Sequence, residues 1–344
     1  MVAFIKNFFS KNEVDINDNT YEEEYISLVM KKTGWGRKRT IKRITEARKR
    51  TGCTYKEYYM YKFYKLNKKI QNEFFLVSQS RKIREKYDVN TELARVLNNK
   101  ELANNYFEEY LGRAWCVNTK IELEEFNNKF KNSAKVIYKP VRGSKGNGVQ
   151  IFDIDNNRVK SVYEELIDLP KGVVEECVVQ HSDLSGLSPT SVNTVRIVSV
   201  SSMTHPVTSD GKYMDIAYAA LRIGGTGAIV DNFHSGGMVA AIDMNTGELV
   251  TDAADEEGNV YHQHPATGKP IRGFKVPYFK EALELVNEAI IRKKTEGLLG
   301  WDIAITENGP VLIEVNLKPA VVLLSMPYVA EKKGMKHVMD KYLY

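Results

Sequence analysis

GWDIAITENGPVLIEVN, residues 300–316, alternates apolar and polar side chains on both sides of a turn sequence. This pattern predicts two strands, 301–306 and 311–316, joined by the turn residues Glu-Asn-Gly-Pro. Because successive side chains of a strand point to opposite faces, one face carries Asp302, Ala304 and Thr306 from the first strand and Leu312, Glu314 and Asn316 from the second. The opposite face is apolar and comprises Trp301, Ile303, Ile305, Val311, Ile313 and Val315.

Two carboxylates and an amide on one sheet face suit a hard cation such as Mg²⁺, which prefers oxygen ligands. The register of the hairpin decides whether they meet. A loop of three or five residues places Asp302 opposite Glu314 or Asn316, whereas a loop of two or four residues places it opposite Val315. Asn-Gly at 308–309 favours the three-residue loop, with a positive φ at the glycine. The alternative is a solvated sheet face that binds no metal.

The composition is that of a globular chain, with 43% hydrophobic and 27% charged residues among 344. This length predicts one large domain or two to three smaller ones. No segment reaches the roughly 18–20 apolar residues of a membrane-spanning helix. Three cysteines, at 53, 116 and 177, have neither disulfide nor zinc spacing. We therefore expect a protein of the reducing cytoplasm.

The net charge of +5 combines two parts of opposite sign. Residues 1–95 carry 22 Lys and Arg against 12 Asp and Glu, a balance of +10, and residues 96–344 carry 27 against 32, a balance of −5. The spacing of apolar residues in the first part predicts helices at 21–32, 37–50 and 54–67. The interpretation that we favour is a helical bundle with an aromatic core and solvated lysines.

The positive charge of residues 1–95 also allows other partners: an anionic membrane surface, an acidic sugar nucleotide or a nucleic acid. No nucleic-acid recognition motif accompanies the basic residues, so we expect no nucleic-acid partner. Peripheral contact with an anionic membrane stays open as a prediction.

The second part begins near residue 98 with an amphipathic helix, 100–112, that Gly112 ends. Strands at 135–139 and 149–154 follow, separated by the loop PVRGSKGNG. Glycines in such a loop let the backbone approach a polyphosphate, and its Arg and Lys offset the phosphate charge. It is not a Walker A loop, because no Lys-Ser or Lys-Thr follows the last glycine and a strand comes next. An ordinary flexible hairpin is the alternative.

Three further strands are predicted at 173–181, 191–200 and 214–223. They contain charged residues among apolar ones, namely Glu175, Glu176, Arg196 and Arg222. A long glycine-rich connection follows, and a last helix at 277–294 leads into the hairpin of residues 300–316.

The order of these features resembles an ATP-grasp domain. The matching features are Lys139 ahead of a glycine-rich hairpin, the acidic strand, NTVR at 193–196, GWD at 300–302 and EVN at 314–316. More narrowly, 191–197, 231–237 and 300–316 look like the sugar-transfer-associated ATP-grasp family of bacterial polysaccharide gene clusters. The resemblance covers roughly residues 90–330. It implies an α+β fold in which two subdomains, 96–182 and 183–344, enclose ATP behind a basic helical domain, 1–95.

The resemblance also implies roles for individual residues. Lys100 and Lys139 match the lysines that hold the nucleotide phosphates. The loop over the phosphates would comprise Arg142, Gly143, Ser144, Lys145, Gly146 and Gly148. The adenine and ribose would be contacted by Glu176, Val178, Val179 and Asp183. Two Mg²⁺ ions, or Mn²⁺ in their place, would be held by Asp302, Glu314 and Asn316. Arg196 and Arg222 would face the transferred phosphoryl group, with structural ion pairing as the alternative for both.

The activity implied is that of an ATP- and Mg²⁺-dependent carboxylate–amine ligase that forms an acyl phosphate. Its substrates would be a carboxylated sugar or precursor and an amino acid or other amine, in surface-polysaccharide biosynthesis. The alternatives are a phosphotransferase acting on a hydroxyl and a protein that binds ATP without turnover. Two departures from the pattern concern the substrates: Leu-Lys-Pro-Ala follows Asn316 where a Pro-Gly segment is usual, and helices replace the usual first βα domain.

Overall fold

The structure is a computed structural model of the 344-residue chain. It describes residues 19–143, 148–155, 158–228, 231, 233 and 236–343. In these ranges no helix combines the length and the apolar character that crossing a bilayer requires. The three cysteines are free thiols.

The chain begins with short helices that local sequence signals delimit. They are α1 (Asn19–Thr33), α2 (Arg37–Thr51), α3 (Tyr55–Met60), α4 (Lys68–Gln71), α5 (Val77–Lys86), α6 (Thr91–Leu97), α7 (Lys100–Tyr106) and α8 (Glu108–Leu111). Gly52 ends α2 with a φ of 78°, and Thr54 and Glu57 form a capping box that begins α3. The helices predicted at 21–32 and 37–50 are therefore present.

The helix predicted at 54–67 is wrong in its length. It ends at Met60, because Lys62 has a left-handed φ of 52° that a helix cannot continue. The Lys62 amine donates a hydrogen bond to the carbonyl of Gly258, a contact between distant parts of the chain. The aromatic side chains nevertheless form a core, in which Tyr58 and Phe63 are buried. The helix predicted at 100–112 is likewise divided, into α7 and α8.

A four-stranded antiparallel sheet, in the order β1-β4-β2-β3, is the smaller of two sheets. Its strands are β1 (Trp115–Val117), β2 (Lys135–Pro140), β3 (Gln150–Asp153) and β4 (Gly172–Glu176). Two helices, α9 (Leu123–Phe130) and α10 (Val159–Ile167), share a hydrophobic core with this sheet. The loop PVRGSKGNG connects β2 to β3, as predicted.

The larger sheet has seven antiparallel strands in the order β11-β10-β5-β6-β7-β8-β9. They are β5 (Thr194–Ser201), β6 (Met214–Ile223), β7 (Met238–Ala241), β8 (Ala253–Asp255), β9 (Val260–Tyr261), β10 (Gly297–Thr306) and β11 (Gly309–Asn316). The remaining helices are α11 (Ser182–Leu187), α12 (Phe279–Lys293), α13 (Val322–Ser325) and α14 (Lys336–Asp340).

Helices cover both faces of the larger sheet. On one face, α12 contributes Val286 to a core that contains Trp301 of β10. Neighbouring strand residues point to opposite faces. Accordingly Ala220 and Val239 lie on the other face, where they pack into the aromatic core of the N-terminal helices around Tyr58. The basic helices and the sheet therefore share one core.

The hairpin of β10 and β11 pairs Asp302 with Glu314 as predicted, but its turn differs from the predicted one. Thr306 pairs with Gly309, so the loop has two residues and the predicted three-residue loop is wrong. A bulge between Leu312 and Glu314 shifts the pairing by one residue and brings Asp302 opposite Glu314. The predicted juxtaposition of these two carboxylates is therefore present.

The bulge also changes which apolar residues enter the core. The sequence pattern places Leu312 beside Glu314, but Leu312 is 1% exposed and belongs to the hydrophobic core. Val311 and Ile313, predicted on the apolar face, are only half-buried. One inserted residue exchanges the faces of all the side chains beyond it, so simple alternation fails on the turn side of the bulge.

Candidate nucleotide and metal site

A cleft of about 1990 Å³ opens between the two sheets. Its walls include α7, the strands β2 and β4 and the hairpin of β10 and β11. Twelve of the predicted site residues line it: Lys100, Lys139, Arg142, Gly143, Glu176, Val178, Val179, Arg196, Arg222, Asp302, Glu314 and Asn316.

Two other predicted site residues, Gly148 and Asp183, are described and do not line the cleft. Gly148 has a φ of 73° just before β3 and next to Val149, which lines the cleft. Asp183, proposed for the ribose, lines a separate surface groove beside Arg272. Three residues of the predicted phosphate loop lie outside the described residues: Ser144, Lys145 and Gly146.

A buried carboxylate organises the lysine side of the cleft. Glu175 is 2% exposed and accepts hydrogen bonds from Lys139 Nζ at 2.7 Å, Arg113 Nε at 2.8 Å and Asn104 Nδ2 at 3.0 Å. Burial alone would raise the pKa of Glu175. The charges of Lys139 and Arg113 and the hydrogen bonds outweigh burial, and they hold this pKa far below its ordinary value. Glu175 is therefore ionised, and it fixes the ammonium group of Lys139 in the cleft.

Arg113 connects this cluster to the hairpin. Its Nη1 donates to the carbonyl of Leu312 in β11 at 2.7 Å and to the carbonyl of Leu111 at 2.9 Å. The planar guanidinium can serve these carbonyls and Glu175 together, because its donors diverge in a fixed fork. One side chain thus links the smaller sheet to the larger one.

Lys100 is the first residue of α7 and connects that helix to the glycine-rich loop. Its Nζ donates to the carbonyl of Gly143 at 2.7 Å, and its backbone nitrogen donates to the carbonyl of Val141 at 3.0 Å. Burial lowers the pKa of Lys100, the Glu314 carboxylate acts in the opposite direction and the Lys139 charge lowers the pKa further. Lys100, Lys139 and Glu314 all line the cleft, where their charges interact.

Asp302 is the centre of a buried network of ion pairs. It is 4% exposed and lies opposite Arg196 in the pairing of β10 with β5. Its Oδ1 accepts from Arg196 Nε at 2.5 Å, and its Oδ2 accepts from Arg196 Nη2 and Arg222 Nη1, each at 2.9 Å. Burial would raise the pKa of Asp302, but the two arginines lower it below its ordinary value. Ion pairing, the alternative for both arginines, is thus present.

Asp231 ends this network on the far side of Arg222. Its Oδ1 lies 2.9 Å from Arg222 Nη2, and its Oδ2 accepts from the backbone nitrogen of Thr194 at 3.0 Å and from the Thr194 hydroxyl. Burial raises the pKa of Asp231, and the Arg222 charge only partly offsets this effect. Arg222 is therefore held at two ends by carboxylates.

Glu314 is the carboxylate of the hairpin that opens into the cleft. Its side chain is solvent-accessible, and its carboxylate forms no hydrogen bond with any residue that the structure describes. The enclosing protein raises the pKa of Glu314 and the neighbouring Asp302 raises it further, whereas Lys100 and Lys139 act in the opposite direction. This environment would favour a bound cation, which would relieve the repulsion between the two carboxylates.

The residues of the hairpin fit Mg²⁺. Asn316 donates from Nδ2 to Asp302 at 3.2 Å, which leaves its amide oxygen available. Asp302 Oδ1 accepts one hydrogen bond and retains one acceptor position. With Glu314 these atoms form a set of oxygen donors, the kind that Mg²⁺ prefers. Across the described parts of the chain, no group of three or more His, Cys, Asp or Glu could hold a metal, so this site depends on the asparagine.

Sequence reasoning missed four residues of the cleft, namely Asn104, Arg113, Glu175 and Asp231. It identified the pair Glu175-Glu176 but selected Glu176. Alternation along β4 shows that these two acids face opposite sides. Which of them meets Lys139 depends on the pairing of β4 with β2, where Ile137 lies opposite Glu175. That register comes from long-range contacts and has no signal in a single strand.

A search of solved structures finds ligases and synthetases that share little sequence with the chain. A D-alanine–D-alanine ligase from Coxiella burnetii is 8% identical with a TM-score of 0.44, and the match covers 74% of this chain and 58% of that one. An N5-carboxyaminoimidazole ribonucleotide synthetase in complex with ADP is 11% identical with a TM-score of 0.40, over 67% of this chain and 47% of that one. The chain thus spans about half the length of these two proteins. No curated protein sequence matches it.

A family profile matches residues 108–342, a range that contains both sheets and most of the cleft lining, whereas α7 with Lys100 and Asn104 lies just ahead of it. That family is described as sugar-transfer associated ATP-grasp. The predicted α+β architecture, with a helical region ahead of the ATP-grasp domain, is confirmed. The chain belongs to the sugar-transfer associated ATP-grasp family.

Proposed function

We propose that the protein is an ATP- and Mg²⁺-dependent carboxylate–amine ligase that acts through an acyl phosphate. One observation carries the proposal. The open carboxylate of Glu314 shares a cleft with the cations of Lys100, Lys139 and Arg196, in a chain of the ATP-grasp family. Cations that offset phosphate charge, beside oxygen donors for a metal ion, are what phosphoryl transfer from ATP requires.

Each charged group has a role that its contacts support. Glu175 holds the ammonium group of Lys139 at a fixed place, where it can contact the nucleotide phosphates. Lys100 can act beside it while connecting α7 to the glycine-rich loop at Gly143. Mg²⁺ bound by Asp302, Glu314 and Asn316 would neutralise charge on the β- and γ-phosphates.

The two arginines differ in what they can reach. Arg196 binds Asp302 through Nε and Nη2, and its Nη1 has no hydrogen-bond partner among the described residues. We assign Nη1 to the transferred phosphoryl group and, later, to the oxygen that gains charge when the acyl carbon becomes tetrahedral. Arg222 is held between Asp302 and Asp231, which suits positioning of Asp302 better than contact with substrate.

The proposed reaction has two steps. A substrate carboxylate oxygen attacks the γ-phosphorus, so that an acyl phosphate forms and the bond to the ADP oxygen breaks. An amine nitrogen then attacks the acyl carbon, the carbon–nitrogen bond forms, phosphate leaves and the nitrogen loses a proton. The protein contributes alignment of the reactants and stabilisation of charge rather than a covalent group.

The size of the cleft supports a reaction of several substrates. A volume of about 1990 Å³ exceeds the roughly 300–1,000 Å³ of most small-molecule sites. Because the family is associated with sugar transfer, we assign the acid to the class of carboxylated sugars or their precursors and the amine to amino acids or related amines. The proposed setting is surface-polysaccharide synthesis in the cytoplasm.

Hydroxylamine trapping tests this function. The protein is incubated with ATP, Mg²⁺, hydroxylamine and a panel of uronic acids and amino acids. A ligase releases ADP and forms a hydroxamate with its own acid, and Glu314→Gln abolishes both products. With γ-labelled ATP, a stable phosphorylated product in place of hydroxamate would overturn the proposal in favour of a phosphotransferase. Tight ATP binding without any product across the panel would also count against a ligase.

A further inference from the structure

The N-terminal helices carry a basic surface that the cleft does not use. Helix α2 buries Thr40, Ile44 and Ala47 along one side. With 3.6 residues per turn, the opposite side presents Lys38, Lys42 and Lys49. All three side chains are exposed. Together with the exposed Arg39 and Arg43 on one flank, they form a surface that we call the basic face.

Acidic side chains do little to neutralise the basic face. The ion pairs of α2 with α1 use other residues, because Arg37 pairs with Glu23 and Arg48 pairs with Glu22. The five cations of the basic face form no ion pair with any residue in the described ranges of the chain. Glu46, the one acid of α2, is exposed between the lysines and the two arginines, so the basic face carries five cations and one acid. The basic face is therefore a concentrated positive charge directed at solvent.

An aromatic side chain lies beside these cations. Trp35, in the turn between α1 and α2, is half-buried. The guanidinium carbons of Arg39 and Arg43 lie 4.8 Å and 5.8 Å from the centre of its ring. These cation–π contacts hold the indole next to the basic face. Tryptophan is enriched at the level of lipid headgroups, where its ring has both an apolar body and a polar N–H.

We propose that the basic face docks the protein on an anionic lipid bilayer. The charge is complementary to the negative surface of such a membrane, and basic residues near that surface each add to binding. The apolar side of α2 is occupied in the core, so adsorption to headgroups is expected rather than insertion of the helix. This inference does not depend on the ligase reaction.

The sequence ahead of α1 favours lipid over nucleic acid as the partner. Residues 1–10 contain the apolar side chains Phe4, Ile5, Phe8 and Phe9 with one lysine among them. Binding of a protein segment to an anionic bilayer scales with buried apolar area as well as with electrostatic attraction. Nucleic-acid binding would gain nothing from an apolar segment of this composition.

Co-sedimentation of the full-length protein with vesicles tests the proposal. Vesicles of phosphatidylcholine containing phosphatidylserine should bind the protein, and the binding should weaken as salt is raised. The triple variant Lys38→Glu, Lys42→Glu, Lys49→Glu should bind at least about tenfold more weakly. A matched variant, Lys129→Glu, Lys131→Glu, Lys160→Glu, changes the same net charge at exposed sites on the smaller sheet's subdomain and should bind like the wild type.

Trp35→Ala should weaken vesicle binding with an unchanged melting temperature. Three results would overturn the proposal. The first is equal binding to pure phosphatidylcholine vesicles. The second is equal loss in the two triple variants. The third is absence of vesicle binding while a duplex RNA binds and the basic-face variant abolishes that binding, which would identify the surface as a nucleic-acid site.

Discussion

Glu175 and Glu176 are adjacent, but their surroundings differ completely. Glu175 is buried with Lys139, Arg113 and Asn104 as partners, whereas the Glu176 side chain is half-buried at the wall of the cleft. A buried ionised carboxylate is destabilising without its cations, and each buried cation is destabilising without the carboxylate. The cluster therefore controls both the stability of the cleft and the position of Lys139.

Glu175→Gln should lower the free energy of unfolding by about 3 kcal/mol, because it leaves two cations without their counter-ion in a buried site. Glu176→Gln is the matched control, one residue away on the same strand, and its effect should stay within about 0.5 kcal/mol. Urea denaturation followed by fluorescence measures both values. Equal effects of the two substitutions would contradict the role assigned to Glu175.

At the scale of the element, the hairpin shows where sequence reasoning succeeds and where it fails. Alternation in each strand was enough to predict that Asp302, Glu314 and Asn316 share a face. Alternation alone does not predict the turn length or the bulge at Ile313. The turn is one residue shorter than predicted and the bulge adds one residue, so the two differences cancel in the final register. The same limit applies to Lys62, which has a left-handed φ and whose amine donates a hydrogen bond to the distant carbonyl of Gly258.

Gly309→Ala should destabilise the protein by about 1–3 kcal/mol. Its φ is 111°, a conformation that L-residues avoid, although no atom lies within 4 Å of the added Cβ. Gly186→Ala is the control. It lies in α11 with equally open space and an ordinary φ, so alanine should stabilise by about 0.5–1 kcal/mol. Thermal denaturation of the two variants measures the difference. A melting temperature that shifts in the same direction for both would contradict the explanation from the positive φ of Gly309.

At the scale of the whole molecule, the N-terminal helices and the larger sheet form one packed unit. The spacing of apolar residues predicted a helical region with an aromatic core, and the resemblance to the ATP-grasp domain implied the later α+β body. Neither showed that Tyr58 of the helices packs with Val239 and Ala254 of the sheet. These contacts join residues almost 200 positions apart, and no periodicity in either segment encodes them. The smaller sheet has a separate core around Val162.

This arrangement predicts which parts unfold together. Val239→Ala, at a fully buried site, should destabilise by about 2 kcal/mol and lower the hydrogen-exchange protection of both α3 and β6. Val162→Ala, equally buried in the smaller core, should lower protection in α10 and leave α3 unchanged. Loss of protection in β6 without loss in α3 would show that the helices fold independently of the sheet.

The polar face of the hairpin, with the cations opposite it, is proposed to form a site for ATP and Mg²⁺. Calorimetric titration with a non-hydrolysable ATP analogue tests it most directly, with and without Mg²⁺. We predict that the wild type binds and that Mg²⁺ tightens binding. The Glu314→Gln substitution should reduce the Mg²⁺-dependent increase in affinity for the analogue by at least about tenfold. Glu307 lies on the turn of the same hairpin, and its carboxylate accepts a hydrogen bond from the Ser182 nitrogen at 2.7 Å. The Glu307→Gln variant should bind the ATP analogue like the wild type. Failure of the wild type to bind, or a Glu314→Gln variant with the full Mg²⁺-dependent gain, would contradict the account.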